Sequence, residues 1–303
     1  MDSSAKADWI AVDWGTSNLR AWAMSDAGEV LNHATSEDGM GSLAQSEFEP
    51  ALLRLVEPWL DGPTTVVACG MVGSRQGWKE AEYRAVPCRP TGQNTTRVGT
   101  NDPRLNVHLI SGIKQEKPAD VMRGEETQIA GLLAANPNFD GVVCLPGTHS
   151  KWVRISAEEC VSFQTYMTGE LFAILANNSV LRHTVESDGW DDAAFIAAVD
   201  DALSKPEILA ARLFSLRAET LLHDLTAASA RARLSGLLIG IELAASRPYW
   251  LGQDIVIIGA ERISAHYATA LKQQGCTPTT PAAQNLTLAG LSATYLSLKE
   301  TSK

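Results

Sequence analysis

Asp13-Trp14-Gly15-Thr16-Ser17-Asn18-Leu19-Arg20 joins a short apolar run, Trp9 to Asp13, to a second, Leu19 to Met24. The turn between them carries a Gly and two hydroxyls. A further turn, Ser25 to Gly28, leads to a third run, Glu29 to Ala34. This pattern predicts a three-strand meander. Leu145-Pro146-Gly147-Thr148-His149-Ser150-Lys151-Trp152 repeats it. Gly141 to Leu145, Lys151 to Ile155 and Cys160 to Thr165 again read as strands, and Gly15-Thr16 falls on Gly147-Thr148. The following strand and turn agree with one residue deleted. The copies lie more than a hundred residues apart. That is far beyond a solenoid period and points to a duplicated domain.

Working outward, Glu47 to Leu60 has helical spacing, and Thr65 to Cys69 is a buried strand running into Gly70-Met71-Val72-Gly73-Ser74-Arg75. Val107 to Ser111 reads as a strand and Asp120 to Ala135 as a helix with a polar first turn. The second half predicts helices over Ala193 to Leu203, Pro206 to Leu216 and Ala228 to Ala245. A buried strand follows at Asp254 to Gly259, then helices over Glu261 to Gln274 and Leu286 to Leu298. Strands mixed with helices, twice over, give the α/β class.

A length of 303 residues suggests two domains, and the expected division is 1–125 and 126–303, with the C-terminal helix packing back on the first. The net charge of −10 argues against nucleic acid as a partner. Small anions remain open, because local N–H groups and a few Arg can bind them. The five Cys form no CxxC pair, so a disulfide framework or structural zinc is not expected, and Cys69 and Cys144 read as small core hydrophobes. Met1 to Asp8 is polar and no run approaches a membrane span. The expectation is a cytoplasmic protein without membrane association, with a homodimer as default.

The two Gly-Thr turns carry the chemistry. Backbone N–H groups and hydroxyls in such a turn can cradle phosphate oxygens, with Asp13 holding Mg²⁺ through water. Each alone is equally an ordinary hairpin. Two at matching places favour a triphosphate held by both. Lys151 can touch a phosphate, although a solvated side chain is the commoner case; His149 reads as a phosphate contact or a polar turn residue; Trp14 can pack at a domain interface or line the substrate pocket, with packing favoured. Ile257-Ile258-Gly259-Ala260-Glu261-Arg262 can seat a nucleoside or be a plain strand–helix turn. Ser235-Gly236-Leu237-Leu238-Ile239-Gly240 places two glycines in a helix, at about 1 kcal/mol each relative to Ala. That implies close packing or ligand approach. Neither GxxxxGK[ST] nor a Rossmann GxGxxG is present.

At these residues the chain resembles the sugar-kinase/Hsp70/actin superfamily, and more closely the 2-dehydro-3-deoxygalactonokinases. The resemblance runs nearly end to end. It rests on DWGTSNLRAW from Asp13, CGMVGSRQGW from Cys69, MRGEETQIAGLL from Met122, LPGTHSKWV from Leu145, TYMTGELFAIL from Thr165, RLSGLLIGIEL from Arg233 and IIGAERIS from Ile257. It implies a two-lobed, actin-like ATPase fold with duplicated RNase-H-like domains, mixed sheets and ATP in the cleft. It implies ATP-dependent phosphorylation of the terminal (6-) hydroxyl of 2-dehydro-3-deoxy-D-galactonate in galactonate breakdown.

By position, the resemblance makes Asp13 the Mg²⁺ residue. Gly15, Thr16 and Ser17 face the β- and γ-phosphates, Gly147, Thr148 and His149 form the second phosphate hairpin, and Gly236 and Gly259 border the nucleoside. A carboxylate near the attacking hydroxyl is usual in phosphoryl transfer. Glu126 is the favoured base, with Glu125 and Asp120 behind it; the Gly124-Glu125-Glu126 segment resembles one in exopolyphosphatases of the same superfamily. These acids alternatively favour a helix N-terminus. Arg75, Arg20 and Arg123 are candidates for the substrate carboxylate, because Arg pairs with it in a planar fork. Trp78 is a candidate pocket wall. The competing readings are an exopolyphosphatase-like hydrolase and a non-catalytic ATP-binding scaffold of the same fold.

Overall fold

A computed structural model describes residues 6–92 and 95–301; the first five residues of the polar stretch Met1 to Asp8 lie outside the described residues. In chain order the first elements are β1 (Trp9–Trp14), β2 (Leu19–Met24), β3 (Val30–Ser36), α1 (Phe48–Val56) and β4 (Thr64–Gly70). Five short strands follow: β5 (Tyr83–Ala85), β6 (Thr95–Arg97), β7 (Leu105–Ile110), β8 (Gly112–Glu116) and β9 (Ala119–Met122). Then come α2 (Glu125–Ala135), β10 (Gly141–Leu145), β11 (Ser150–Ser156) and β12 (Glu159–Tyr166). The remainder is α3 (Thr168–Asn178), α4 (Arg182–Val185), α5 (Asp192–Ser204), α6 (Leu209–Leu222), α7 (Ala227–Ala245) and α8 (Arg247–Trp250), followed by β13 (Ile255–Ile257), α9 (Glu261–Gln273) and α10 (Ala283–Thr301).

The meander expected at each Gly-Thr turn is present. One sheet runs β3-β2-β1-β4-β7-β6 and another β12-β11-β10-β13. Both begin alike. The first strand pairs antiparallel with the second and parallel with a later one, β4 beside β1 and β13 beside β10. The duplication read from two turns is therefore a duplication of sheet topology.

The chain divides into two compact units. The first comprises Met1–Phe139, Ser156–Ser162 and Ala283–Lys303; the second comprises Asp140–Ile155 and Phe163–Ala282. In the first unit β1 is apolar on both faces because both are covered. Ile10, Val12 and Trp14 pack with Phe48, Leu52 and Val56 of α1. Trp9 and Ala11 pack with Leu291 and Tyr295 of α10, and the Trp9 and Tyr295 rings stack at 4.4 Å. Burying each such large side chain is worth about 1.5–3 kcal/mol. α10 also lies flush on α2. A Cβ at Gly131 would meet the Leu286 carbonyl at 1.9 Å, and one at Gly290 would meet the Thr127 carbonyl at 1.9 Å.

The helix expected from Asp120 begins later. Residues 119–122 pair with β8, Gln115 opposite Asp120 and Ile113 opposite Met122. Gly124 then takes φ +106, a conformation a helix interior does not allow. Cross-strand hydrogen bonds outweigh the helical look of the polar first turn. Three further short strands, β5, β6 and β8, were not expected, and neither was α3. Each strand has too few residues to show a period.

In the second unit Val142, Cys144, Trp152, Ile255 and Ile257 of the sheet pack under α5, α7 and α9. Gly236 and Gly240 let α7 approach α5: a Cβ would come within 2.5 Å of the Phe195 carbonyl at one and 2.6 Å of the Val199 carbonyl at the other. Among the described residues no helix is long and apolar enough to cross a membrane.

Candidate active site

In the first unit, β1 delivers Asp13 to the mouth of the first hairpin. Asp13 lies opposite Arg20 in the β1–β2 register and accepts its Nη2 at 2.5 Å. Burial raises the Asp13 carboxyl above its ordinary range, and the Arg20 charge opposes that rise. The Gly15 N–H donates to the Asn18 carbonyl at 2.9 Å and closes the turn. Gly15, Thr16, Ser17, Arg20 and Thr35 border a polar hollow of ≈ 480 Å³. Asp38 to Gly41 backs the hairpin. Met40 and Gly41 donate their N–H groups to the carbonyls of Gly15 and Thr16, each at 2.9 Å, and Trp14 Nε1 donates to the Asp38 carbonyl at 2.8 Å. This buttress was not anticipated; its only trace in the sequence is the Gly39-Met40-Gly41 turn signal.

β4 lies beside β1, so Cys69 is the register partner of Asp13, with Sγ 4.0 Å from Oδ1. β4 ends at Gly70, against Gly124: a Cβ on Gly124 would stand 3.4 Å from the Gly70 Cα. Past Gly124, Glu126 folds back on the start of α2. Its Oε2 accepts the Gly124 N–H at 2.7 Å and its Oε1 accepts the Thr127 hydroxyl at 3.3 Å. Glu126 is fully buried. Burial first, and then the neighbouring Glu125 charge, push its carboxyl up to about 7, against the N–H groups that favour ionisation. The Cys69 thiol is raised well above its ordinary value, chiefly by burial and then by the charges of Asp13 and Glu126. Cys69 is thus a core residue, as expected, and also the group standing by two carboxylates. Glu125 accepts the Arg123 N–H at 3.0 Å.

The expected substrate residues separate. Arg75 is 81% exposed, its Nε 3.5 Å from Glu80. Trp78 lies in the core, its ring 6.0 Å from Trp14 and 6.2 Å from Phe48. Trp14 is packed there too. Arg123 is buried: Nη2 donates to the Ala81 carbonyl at 2.7 Å, and the guanidinium lies 4.3 Å over the Tyr83 ring. Its Nε and Nη1 are buried without a hydrogen-bond partner. Asp120 sits on β9, where its carboxylate accepts the Val121 N–H at 2.8 Å.

In the second unit, the second hairpin rests on the start of α3. A Cβ on Gly169 would come 2.2 Å from the Gly147 carbonyl. The Glu170 N–H donates to the Thr148 carbonyl at 2.9 Å, and His149 Nε2 meets Glu170 Oε2 at 2.6 Å. Lys151 is buried rather than solvated, because β11 carries it inward; its Nζ donates to the His149 carbonyl at 3.1 Å. Beside the hairpin is a cavity of ≈ 260 Å³, bordered by Gly147 and Gly169 and walled by Phe172, Ile239, Ile263 and the stacked rings of Trp190 and His266, 4.1 Å apart. A mostly apolar cavity with a few polar groups is the usual form of a small-molecule site. Gly259 touches the hairpin, since a Cβ there would stand 3.0 Å from the Pro146 carbonyl. Gly236 instead faces α5, while its neighbour Ser235 borders the cavity.

Residues 13–294 match the sequence profile of the 2-keto-3-deoxy-galactonokinases. A probable 2-dehydro-3-deoxygalactonokinase of Rhizobium meliloti (strain 1021) is 38% identical over 292 residues, covering 94% of this chain and 95% of that one. The 2-dehydro-3-deoxygalactonokinase of Escherichia coli (strain K12) is 36% identical over 290 residues, covering 94% and 96%. A crystal structure of a candidate 2-dehydro-3-deoxygalactonokinase from Sinorhizobium meliloti superposes with a TM-score of 0.88 at 38% identity, over 94% of this chain and 97% of that one. Component A of the (R)-2-hydroxyglutaryl-CoA dehydratase of Acidaminococcus fermentans, at 13% identity and a TM-score of 0.53, shares the fold alone, over 97% and 99% of the two chains. The fold is the α/β, actin-like ATPase architecture that the resemblance implies. With nearly the whole chain matched, this protein belongs to the 2-keto-3-deoxy-galactonokinase family.

Proposed function

We propose that this protein transfers the γ-phosphoryl group of ATP to the 6-hydroxyl of 2-dehydro-3-deoxy-D-galactonate, yielding ADP and the 6-phospho sugar acid in galactonate breakdown. The reading rests above all on the near full-length kinship with 2-dehydro-3-deoxygalactonokinases. The two units are taken as its two domains, each contributing one phosphate hairpin. A cytoplasmic setting and a homodimer go with this reading, and neither enters its test.

In this mechanism Gly15, Thr16 and Ser17 hold phosphate oxygens through N–H groups and hydroxyls, and Gly147, Thr148 and His149 do the same from the second hairpin. The apolar cavity beside Gly147 takes the nucleoside, with Gly259 at its edge. The donor set suits Mg²⁺: one partly exposed carboxylate, Asp13, stands at a hydroxyl-rich turn, and Mg²⁺ usually keeps its waters and takes only one or two carboxylates. When bound, Mg²⁺ neutralises phosphate charge. Glu126, once ionised, takes the proton of the attacking 6-hydroxyl, with Glu125 beside it. The hydroxyl oxygen bonds to the γ-phosphorus as the bond to the bridging oxygen of ADP breaks. Arg75, exposed beside Glu80, pairs with the substrate carboxylate, with Arg20 and Arg123 as further cationic groups. Trp78 supports the loop that carries Arg75.

The test is ADP release from MgATP with 2-dehydro-3-deoxy-D-galactonate, with its gluconate epimer, and with no acceptor. Turnover with the galactonate compound and little without an acceptor is the expected result. Equal ADP release under all three conditions would replace the kinase with a hydrolase.

A further inference from the structure

Glu242 is the one acid in the apolar stretch from Leu234 to Ala245 of α7, and it is 1% exposed. A buried carboxylate is costly unless donors surround it. Here they do. Trp152 Nε1 donates to Oε1 at 2.8 Å, Tyr267 OH donates to Oε2 at 2.7 Å, and the Thr168 hydroxyl donates to Oε2 as well. Tyr267 OH in turn lies 2.9 Å from the Ser150 hydroxyl; because its single proton goes to Glu242, it accepts from Ser150. An indole N–H can only donate, and both hydroxyls are turned to donate here, so the site is built for an acceptor.

Each arm of this network ends at the second hairpin or at the cavity wall. Ser150 and Trp152 open β11, directly after the hairpin. Thr168 opens α3 and is followed by Gly169, which lies flush on the Gly147 carbonyl. Thr168 and Tyr267 both border the cavity. Three separate elements, β11, α3 and α9, are tied through one carboxylate on a fourth, α7.

We infer that Glu242 is a positioning residue for nucleotide binding: through Thr168, Tyr267, Trp152 and Ser150 it sets the second hairpin against the cavity wall. This deepens the proposed function and rests on its placement of ATP at this hairpin. Glu242 does not touch the nucleotide. It fixes the distance between the phosphate cradle and the wall that takes the base. Glu242→Gln keeps the size but turns an amide N–H₂ toward at least one donor, and Thr168→Val removes only the hydroxyl arm. A merely structural Glu242 would lower thermal stability without singling out one substrate.

The experiment is calorimetric titration of the full-length wild type, Glu242→Gln and Thr168→Val with MgADP, together with KM for ATP and for the sugar acid. Expected is a rise in nucleotide Kd and ATP KM of about tenfold in Glu242→Gln, the scale of one lost hydrogen bond to a charged group. Thr168→Val should shift in the same direction, and the sugar-acid KM should stay within about twofold, since only the nucleotide contacts change. If both variants melt earlier yet bind MgADP like the wild type, the inference is overturned. Should Glu242→Gln fail to fold, Thr168→Val decides alone, by whether its nucleotide Kd moves. A wild type that binds no MgADP overturns the proposed function itself, and this inference with it.

Discussion

Asp13 and Arg20 face each other across the first hairpin, and their charged groups meet at 2.5 Å. The proposed metal-binding carboxylate therefore already holds a positive charge. Asp13→Ala is expected to lower kcat by on the order of 10³-fold, the scale for losing a preorganised electrostatic contact. The pair is partly open to solvent, so the loss in stability should stay below about 1 kcal/mol. Initial rates and a thermal melt check both; a near-normal kcat would remove Asp13 from the mechanism.

Glu126 must be ionised to accept a proton, and its carboxyl titrates at about 7. Sugar-acid kcat/KM should therefore rise with pH through about 7 and level off above it. Glu126→Gln should lose that limb along with most of the activity. Stability runs the other way. The folded protein holds this proton more tightly than the unfolded chain, whose ordinary value is 4.5, so Glu126 costs stability increasingly as pH rises from there to about 7. Glu126→Gln should thus gain on the wild type in denaturant midpoint over that window. A flat rate profile across it would leave Glu126 as a helix-start residue only.

Arg75 is 81% exposed and Trp78 is in the core, although the two are near neighbours in the chain. Arg75→Ala should raise the KM for the sugar acid by about tenfold or more, as expected on losing an ionic hydrogen bond. It should leave ATP KM and the melting temperature in place. Trp78→Ala should lose about 3–5 kcal/mol of stability as a large-to-small core change. Denaturant melts and steady-state kinetics of the two variants separate these outcomes. An unchanged sugar-acid KM in Arg75→Ala would direct attention to Arg123.

Gly131 has no room for a methyl group, since the Leu286 carbonyl stands 1.9 Å from where its Cβ would be. Gly131→Ala must push α10 away from α2, and overpacking of this kind costs about 1–3 kcal/mol. A melt showing no loss would mean that these helices separate freely.

Much of this was legible because it lay in local patterns. β2 and β10 fall where the apolar runs and turn signals put them, and the Gly-Thr turns exposed the duplication of the sheets. What escaped depends on pairing between distant segments. Asp120 to Met122 look helical until β8 is set beside them. Gly236 reads equally as a ligand neighbour or a seam residue until α5 is in place. Lys151 looked solvated because a turn was visible and its direction was not. Glu242 did carry a signal, a lone acid in an apolar helix, but its donors come from three other elements.

α10 belongs to the first unit although the whole second unit precedes it in the chain. A ribosome therefore releases Trp9, Trp22 and Val67 long before Leu291 and Tyr295, which pack with them. Until α10 emerges, that apolar sheet face lacks its own cover and is a natural holding point for chaperones. A chain released before α10 would have its second unit complete and this face bare. Quality control that reads exposed apolar surface would then be checking whether α10 has arrived.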